Sequence, residues 1–227
     1  MPYAVQFCSL EKFMSQQAQR QSLLEKFDHP LRSVLIFGPP GSGKGTLGKF
    51  LSSAGNHFHL SSGDIFRGLS PESPAGKLYY TYASKGNLLP DEATVSIWHN
   101  YVEGLIATNR YSPHQQLLLL DGVPRTVGQA NLLDKHLNIL KIIVLEMTNI
   151  EGLVQRMKRR ALIERRVDDL DEQVLRTRME VYKNETSKLL EHYPKSLISK
   201  FNADQRPLEV LRDVLIELSD LLSYSDN

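Results

Sequence analysis

A lysine set among closely spaced glycines and followed by a threonine stands at residues 38 to 46, Gly-Pro-Pro-Gly-Ser-Gly-Lys-Gly-Thr. Glycine lacks the Cβ that forbids tight backbone conformations, so successive N–H groups can turn towards one point. At the start of a helix that point also favours negative charge. Lys44 adds a positive charge on a flexible stem, and Thr46 a hydroxyl of the kind that ligates Mg²⁺. Together Gly41, Ser42, Gly43, Lys44, Gly45 and Thr46 form a cradle for a polyphosphate. The spacing Gly38-x4-Gly43-Lys44 fits a P-loop, displaced in one detail: Gly45 fills the usual Ser/Thr slot and the hydroxyl comes one residue later. A Gly-rich turn explains the glycines but not the lysine or the apolar run Val34 to Phe37 before it. The motif does not by itself separate kinases from GTPases, ATPases or transporters.

Three further stretches carry charged groups at the ends of apolar runs. Ser61-Ser62-Gly63-Asp64 leads into Arg67, which shares a helix face with Asp64 three residues earlier. Asp121-Gly122-Val123-Pro124-Arg125-Thr126 follows Leu117 to Leu120, with Gln129 beyond. A carboxylate at that place can hold Mg²⁺ through water, and Arg125 can grip a phosphate bidentately. The third stretch is Arg156-Met157-Lys158-Arg159-Arg160, then Arg165-Arg166-Val167-Asp168-Asp169, with Arg176 and Arg178 later. Such a run is usually a solvated basic face. Arg156 and Arg160, however, fall on one face at i, i+4, and converging arginines suit a migrating phosphoryl group whose charge is spread over its oxygens.

Positioning these groups requires strands that end together. Apolar runs at 34–37, 58–60, 117–120, 142–145 and 196–201 read as five strands. Helical periodicity covers 91–109, 127–136, 149–161, 169–191 and 207–223. Alternating strands and helices predict an α/β fold, a P-loop NTPase-type parallel sheet flanked by helices, with ligands at the strands' carboxyl ends. Residues 1–30 read as a helical extension with Leu10, Phe13, Met14, Leu24 and Phe27 as its apolar face. The 227 residues are 41% hydrophobic and nearly neutral, with 27 basic against 26 acidic side chains, so nothing global points to nucleic acid or an anionic membrane. A single cysteine, Cys8, excludes an intrachain disulfide and a multi-thiolate zinc site. With no apolar run near 18 residues and no signal-peptide pattern, the expected setting is the cytoplasm.

Taken together, the motifs resemble the nucleoside-monophosphate kinase family, its adenylate kinase branch most closely, over about residues 32 to 223. The resemblance implies a core from 31 to 223 carrying a helical NMP-binding insertion at 61–90 and a short lid at 160–169. It implies ATP on the phosphate loop with Arg156 and Arg160, and Mg²⁺ held by Thr46 and Asp121, the latter through water; no zinc is expected. AMP would meet Ser62, Arg67, Asn87, Leu88, Leu89, Gly122, Val123, Pro124, Arg125 and Gln129, with Gln129 reading the adenine edge. Lys44, Arg125, Arg156, Arg160, Arg166 and Arg178 would surround the transferred group, with Asp168 and Asp169 orienting the arginines. Arg178 best matches the helix arginine of the family, with Arg176 a rival. Val123 replaces an aromatic, and Glu164-Arg165 replaces a glycine before the second lid arginine. Ser62 and Thr126 favour AMP over UMP or CMP. The implied reaction is ATP + AMP ⇌ 2 ADP by a monomer; other acceptors, or a nucleotide-binding regulatory module, are the alternatives.

Overall fold

The computed structural model describes residues 27–164 and 171–222. Five strands, β1 (Leu31–Phe37), β2 (Phe58–Ser61), β3 (Leu118–Asp121), β4 (Leu137–Glu146) and β5 (Ile198–Asn202), form one sheet in the order β2-β3-β1-β4-β5. Every pairing is parallel. β1 at the centre is apolar on both faces because both are covered. Leu35 and Phe37 pack with Trp98, Leu118 and Leu120, while Val34 and Ile36 pack with Leu47, Leu119, Val214 and Leu218.

Helices α1 (Lys44–Gly55), α2 (Ser62–Arg67), α3 (Pro74–Ala83) and α4 (Asp91–Ala107) are followed by α5 (Val127–Leu133), α6 (Ile150–Glu164), α7 (Glu172–Val181) and α8 (Pro207–Leu222). α8 buries Val210, Val214, Leu218 and Leu222 in a single stripe. Its last carbonyl, that of Leu222, meets His57 Nε2 at 2.8 Å beside the start of β2.

Register decides where the chemistry sits. Ile36 is level with Asp121, and Asp121 with Ser61, so the phosphate loop, the carboxylate and the start of α2 leave the sheet at one height. The strand order reverses around β1, which opens the crevice in which doubly wound sheets bind ligands.

Some expectations are corrected. The single helix expected over 169–191 is interrupted: α7 ends at Val181, and a π-helical turn follows at Tyr182–Thr186. α6 runs to Glu164 rather than stopping at 161, because Ala161-Leu162-Ile163-Glu164 contains no helix breaker. Apolar periodicity does not announce α3, although Ser73 caps it by accepting from the Gly76 N–H and Pro74 opens it. Most of the expected N-terminal helix, Cys8 included, lies outside the described residues. Phe27, assigned to its apolar face, is not helical and stacks on His99, ring centroids 4.7 Å apart.

Gly48 in α1 is buried, and a Cβ there would collide with the His59 ring of β2. In an open helix Gly→Ala gains about 0.5–1 kcal/mol. Here overpacking should reverse the sign: Gly48→Ala is expected to destabilise by about 1–3 kcal/mol, read as a lower midpoint in thermal unfolding.

Candidate active site

The loop between β1 and α1 turns at Gly43, whose φ of +94° places it in the left-handed region natural to glycine. α1 then begins at Lys44, so its free N–H groups face the space above the sheet. Lys44 Nζ donates to the carbonyl oxygens of Gly38 at 2.9 Å and Pro39 at 3.0 Å, holding the lysine against its own loop. Ser42 is buried, with no hydrogen-bond partner for its hydroxyl.

Above the loop lies a cavity of about 540 Å³. Gly38, Gly41, Ser42, Gly43, Lys44, Gly45 and Thr46 line it, as do Asp121, Gly122, Pro124 and Arg125. Arg67, Arg156, Arg159, Arg160 and Arg178 reach it from α2, α6 and α7. Cations separated by more than a hundred residues thus share one space. The cost is visible in their acidity. Burial lowers the Lys44 pKa to about 8, against a pull upward from Asp121 and a further push down from Arg125, Arg160 and Arg178. Burial likewise brings Arg125 down to about 10, with Arg178 and Arg67 adding to the fall and Asp121 and Tyr79 opposing it.

Arg125 is held on several sides. Its backbone N–H donates to Gln129 Oε1 at 2.7 Å, and its own Nε donates to the Gly122 carbonyl at 2.7 Å. The same carbonyl accepts from the Ser62 hydroxyl at 2.8 Å. Gly122 has φ +85°, and a Cβ there would crowd both Ser62 Oγ and the Arg125 guanidinium. Thr126 caps α5 by accepting from the Gln129 N–H, and donates to Asp91 at 2.7 Å, tying that loop to the start of α4. Arg156 donates to the Ala203 carbonyl at 3.1 Å, which aims it at the end of β5. Arg67 is paired with Asp64 at 2.5 Å.

A narrower branch of the cavity is lined by Gly86, Asn87, Leu88, Leu89, Gln129, Arg67 and Arg125, together with Phe66, Tyr79 and Thr94. The Phe66 and Tyr79 rings stack at 5.8 Å, forming an aromatic wall. Gln129 is 1% exposed, yet borders this branch.

Most residues expected from sequence therefore converge. Ser62 and Val123 do not border either space: Ser62 braces Gly122, and Val123 sits in the core. Arg178 lines the cavity, whereas Arg176 is exposed and paired with Glu172 at 2.8 Å. Arg165, Arg166, Asp168 and Asp169 lie outside the described residues. Sequence reading assigns no role to Arg159, His59, Tyr182, Thr186 or Gln205, all of which border the cavity. Arg159 belongs to the basic run of α6, and the others carry no signal beyond position near strand and helix ends.

Thr46 and Asp121 are hard oxygen donors bordering one cavity. Asp121 sits 8% exposed at the end of β3, its Oδ2 near the first turn of α1, 3.6 Å from where a Cβ on Gly45 would stand. That pairing fits Mg²⁺ bound chiefly by phosphate and water. No cluster of three or more His, Cys, Asp or Glu residues suited to a metal occurs among the described residues.

The adenylate kinase family model matches residues 36–198. An adenylate kinase of Flavobacterium psychrophilum is 35% identical over 197 residues, covering 84% of this chain and 98% of that protein. The chain belongs to the adenylate kinase family. Adenylate kinases of Corynebacterium urealyticum and Nocardia farcinica are 36% and 37% identical, each over 70% of this chain and 84% of the relative. Membership makes the chain a nucleoside-monophosphate phosphotransferase. Most residues that line the cavity fall within the matched span.

Lys44 is charged below about pH 8 in the free protein and neutral above it. An anionic donor phosphate would be drawn to the charged form, so kcat/KM for the donor should fall as pH rises through about 8, well before an ordinary lysine would lose its proton. A pH profile of kcat/KM, which reports the free enzyme, checks this; a plateau extending to pH 10 would refute it.

Proposed function

We propose that this protein catalyses the reversible transfer of the terminal phosphoryl group of ATP to AMP, giving two ADP. The observation that carries the reading is the cavity bordered at once by Lys44, Arg67, Arg125, Arg160 and Arg178, which shares lining residues with a smaller cavity bordered by Gln129. The relatives' printed name, adenylate kinase, supports the same chemistry.

In this reading the N–H groups from Gly41 to Thr46 hold the donor phosphates at the start of α1, and Lys44 moves from the Gly38 and Pro39 carbonyls onto the β- and γ-phosphates. Arg67 and Arg125 clamp the acceptor phosphate. Gln129, its carbonyl oxygen engaged by the Arg125 N–H, presents its amide NH₂ to the acceptor base beside Asn87 to Leu89. Arg156, Arg160 and Arg178 neutralise charge on the group in transit, with Arg166, Asp168 and Asp169 assigned to the same task from the sequence. Thr46 and Asp121 would hold Mg²⁺, which when bound neutralises phosphate charge and orients the triphosphate. The acceptor oxygen is already anionic, so no general base is required. Catalysis is positioning together with electrostatic stabilisation.

Water must be excluded, or ATP would be hydrolysed. We assign that task to movement of the insertion at 61–90 and the lid at 160–169 over the 31–223 core. Nothing in the mechanism needs a second subunit, and we assign the protein to the cytoplasm as a monomer.

The direct test supplies Mg-ATP and a panel of monophosphates and follows ADP formation. AMP-selective turnover is expected; a preference for UMP or CMP, or binding without transfer, would overturn the proposal. Lys44→Met should reduce kcat by at least about a hundredfold, since it removes charge that acts in the transition state. Gln129→Ala should narrow the gap in kcat/KM between AMP and the other monophosphates more than it lowers kcat, measured on the same panel.

A further inference from the structure

The described part of the chain contains one π-helical turn, Tyr182–Thr186, and it lies directly after the helix that carries Arg178. π-turns are rare and tend to occur at functional sites. The consequence here is rotational. At 3.6 residues per turn, a residue seven positions on lies roughly 20° from its starting point and one eight positions on roughly 80° away. A regular helix would therefore set Glu185 on the face of Arg178 and turn Thr186 aside. The wider turn absorbs one extra residue. As a result Thr186, 6% exposed, borders the cavity with Arg178 and Tyr182, while Glu185 faces solvent.

Thr186 has a specific partner there. Its Oγ1 donates to the backbone carbonyl of Arg125 at 3.2 Å, across 61 residues of sequence. The other side of the same residue is fixed by Gln129, which accepts the Arg125 N–H. The backbone that carries the acceptor-phosphate arginine is thus held from α5 on one side and from the α7 extension on the other. A carboxylate in place of Thr186 would sit among the cations and compete with phosphate for them.

We infer that Thr186 is a positioning residue for the acceptor phosphate, and that the π-turn exists to put its hydroxyl under Arg125 and to keep Glu185 out of the cavity. The inference rests on the phosphotransferase reading above and adds a residue to it. Thr186 touches no reacting atom; it acts through Arg125.

The test compares Thr186→Val, which keeps shape and removes the hydroxyl, with Thr186→Ser, which keeps the hydroxyl. Both are measured as KM and kcat for each substrate, and by calorimetric binding of AMP and of ATP separately. Thr186→Val is expected to weaken AMP about fivefold to tenfold, the loss of one hydrogen bond, with ATP binding unchanged and Thr186→Ser within about twofold of the natural protein. Equal losses for both nucleotides, failure of serine to restore binding, or no change in Thr186→Val would each overturn the role. A further variant deletes Asn184, restoring a regular helical count. Thr186 then stands seven positions after Arg178 in a regular helix and keeps its face, so AMP binding should stay within about twofold of the natural protein. A loss as large as that of Thr186→Val would overturn the rotational argument, and Glu185→Gln should have no effect in the full chain. A Glu185→Gln effect in the full chain would overturn the rotational argument. If the natural protein transfers phosphate to no monophosphate, the functional reading fails, and the AMP binding series still decides the part played by Thr186.

Discussion

The gathering of partly buried cations at one end of the sheet is the constraint around which this molecule is arranged. Lys44 and Arg125 are both less basic than they would be in water, foremost because the site withholds solvent and next because each feels other positive groups. A lysine whose proton is held less tightly folded than unfolded works against the fold at neutral pH. Asp121, buried at the end of β3, and the Gly38 and Pro39 carbonyls offset part of that cost. Stability and activity commonly pull in opposite directions at sites of this kind.

A fold can carry this burden only if the charged side chains hang from elements that are themselves secure. The parallel sheet supplies that security by burying β1 on both faces, between the Trp98 cluster and the Val214 cluster. The loops it projects are then braced by hydrogen bonds to backbone and side-chain oxygens. The Gly122 carbonyl joins Ser62 to Arg125, Asp91 joins α4 to the cap of α5, and Ala203 aims Arg156. Backbone acceptors at Gly122 and Ala203 position the Arg125 and Arg156 guanidinium groups without neutralising them.

The smaller branch is braced in the same way. Phe66, Tyr79, Leu88 and Leu89 stand in its walls beside Arg67, Asn87, Thr94, Arg125 and Arg178. Gln129 borders it with its carbonyl oxygen held by the Arg125 N–H, so displacement of Arg125 would disturb Gln129 as well.

The sequence alone determined the phosphate-loop motif, the five strands, the all-parallel arrangement and most of the charged residues that border the cavity. Each of these is signalled locally, by glycine spacing, by short apolar runs, or by charged residues at the ends of those runs. Tertiary structure decided what local signals leave open. Arg176 and Arg178 differ by two positions and carry the same charge, and only packing shows that Arg178 turns to the cavity while Arg176 pairs with Glu172 on the outside. Ser62 and Val123 sit inside functional motifs, yet one is consumed by the Gly122 carbonyl and the other by the core. The π-turn has no compositional mark, because it is the register between α7 and the Arg125 loop that selects it. Distances along a chain fix periodicity; which of two neighbouring faces looks inward depends on what the rest of the chain has placed there.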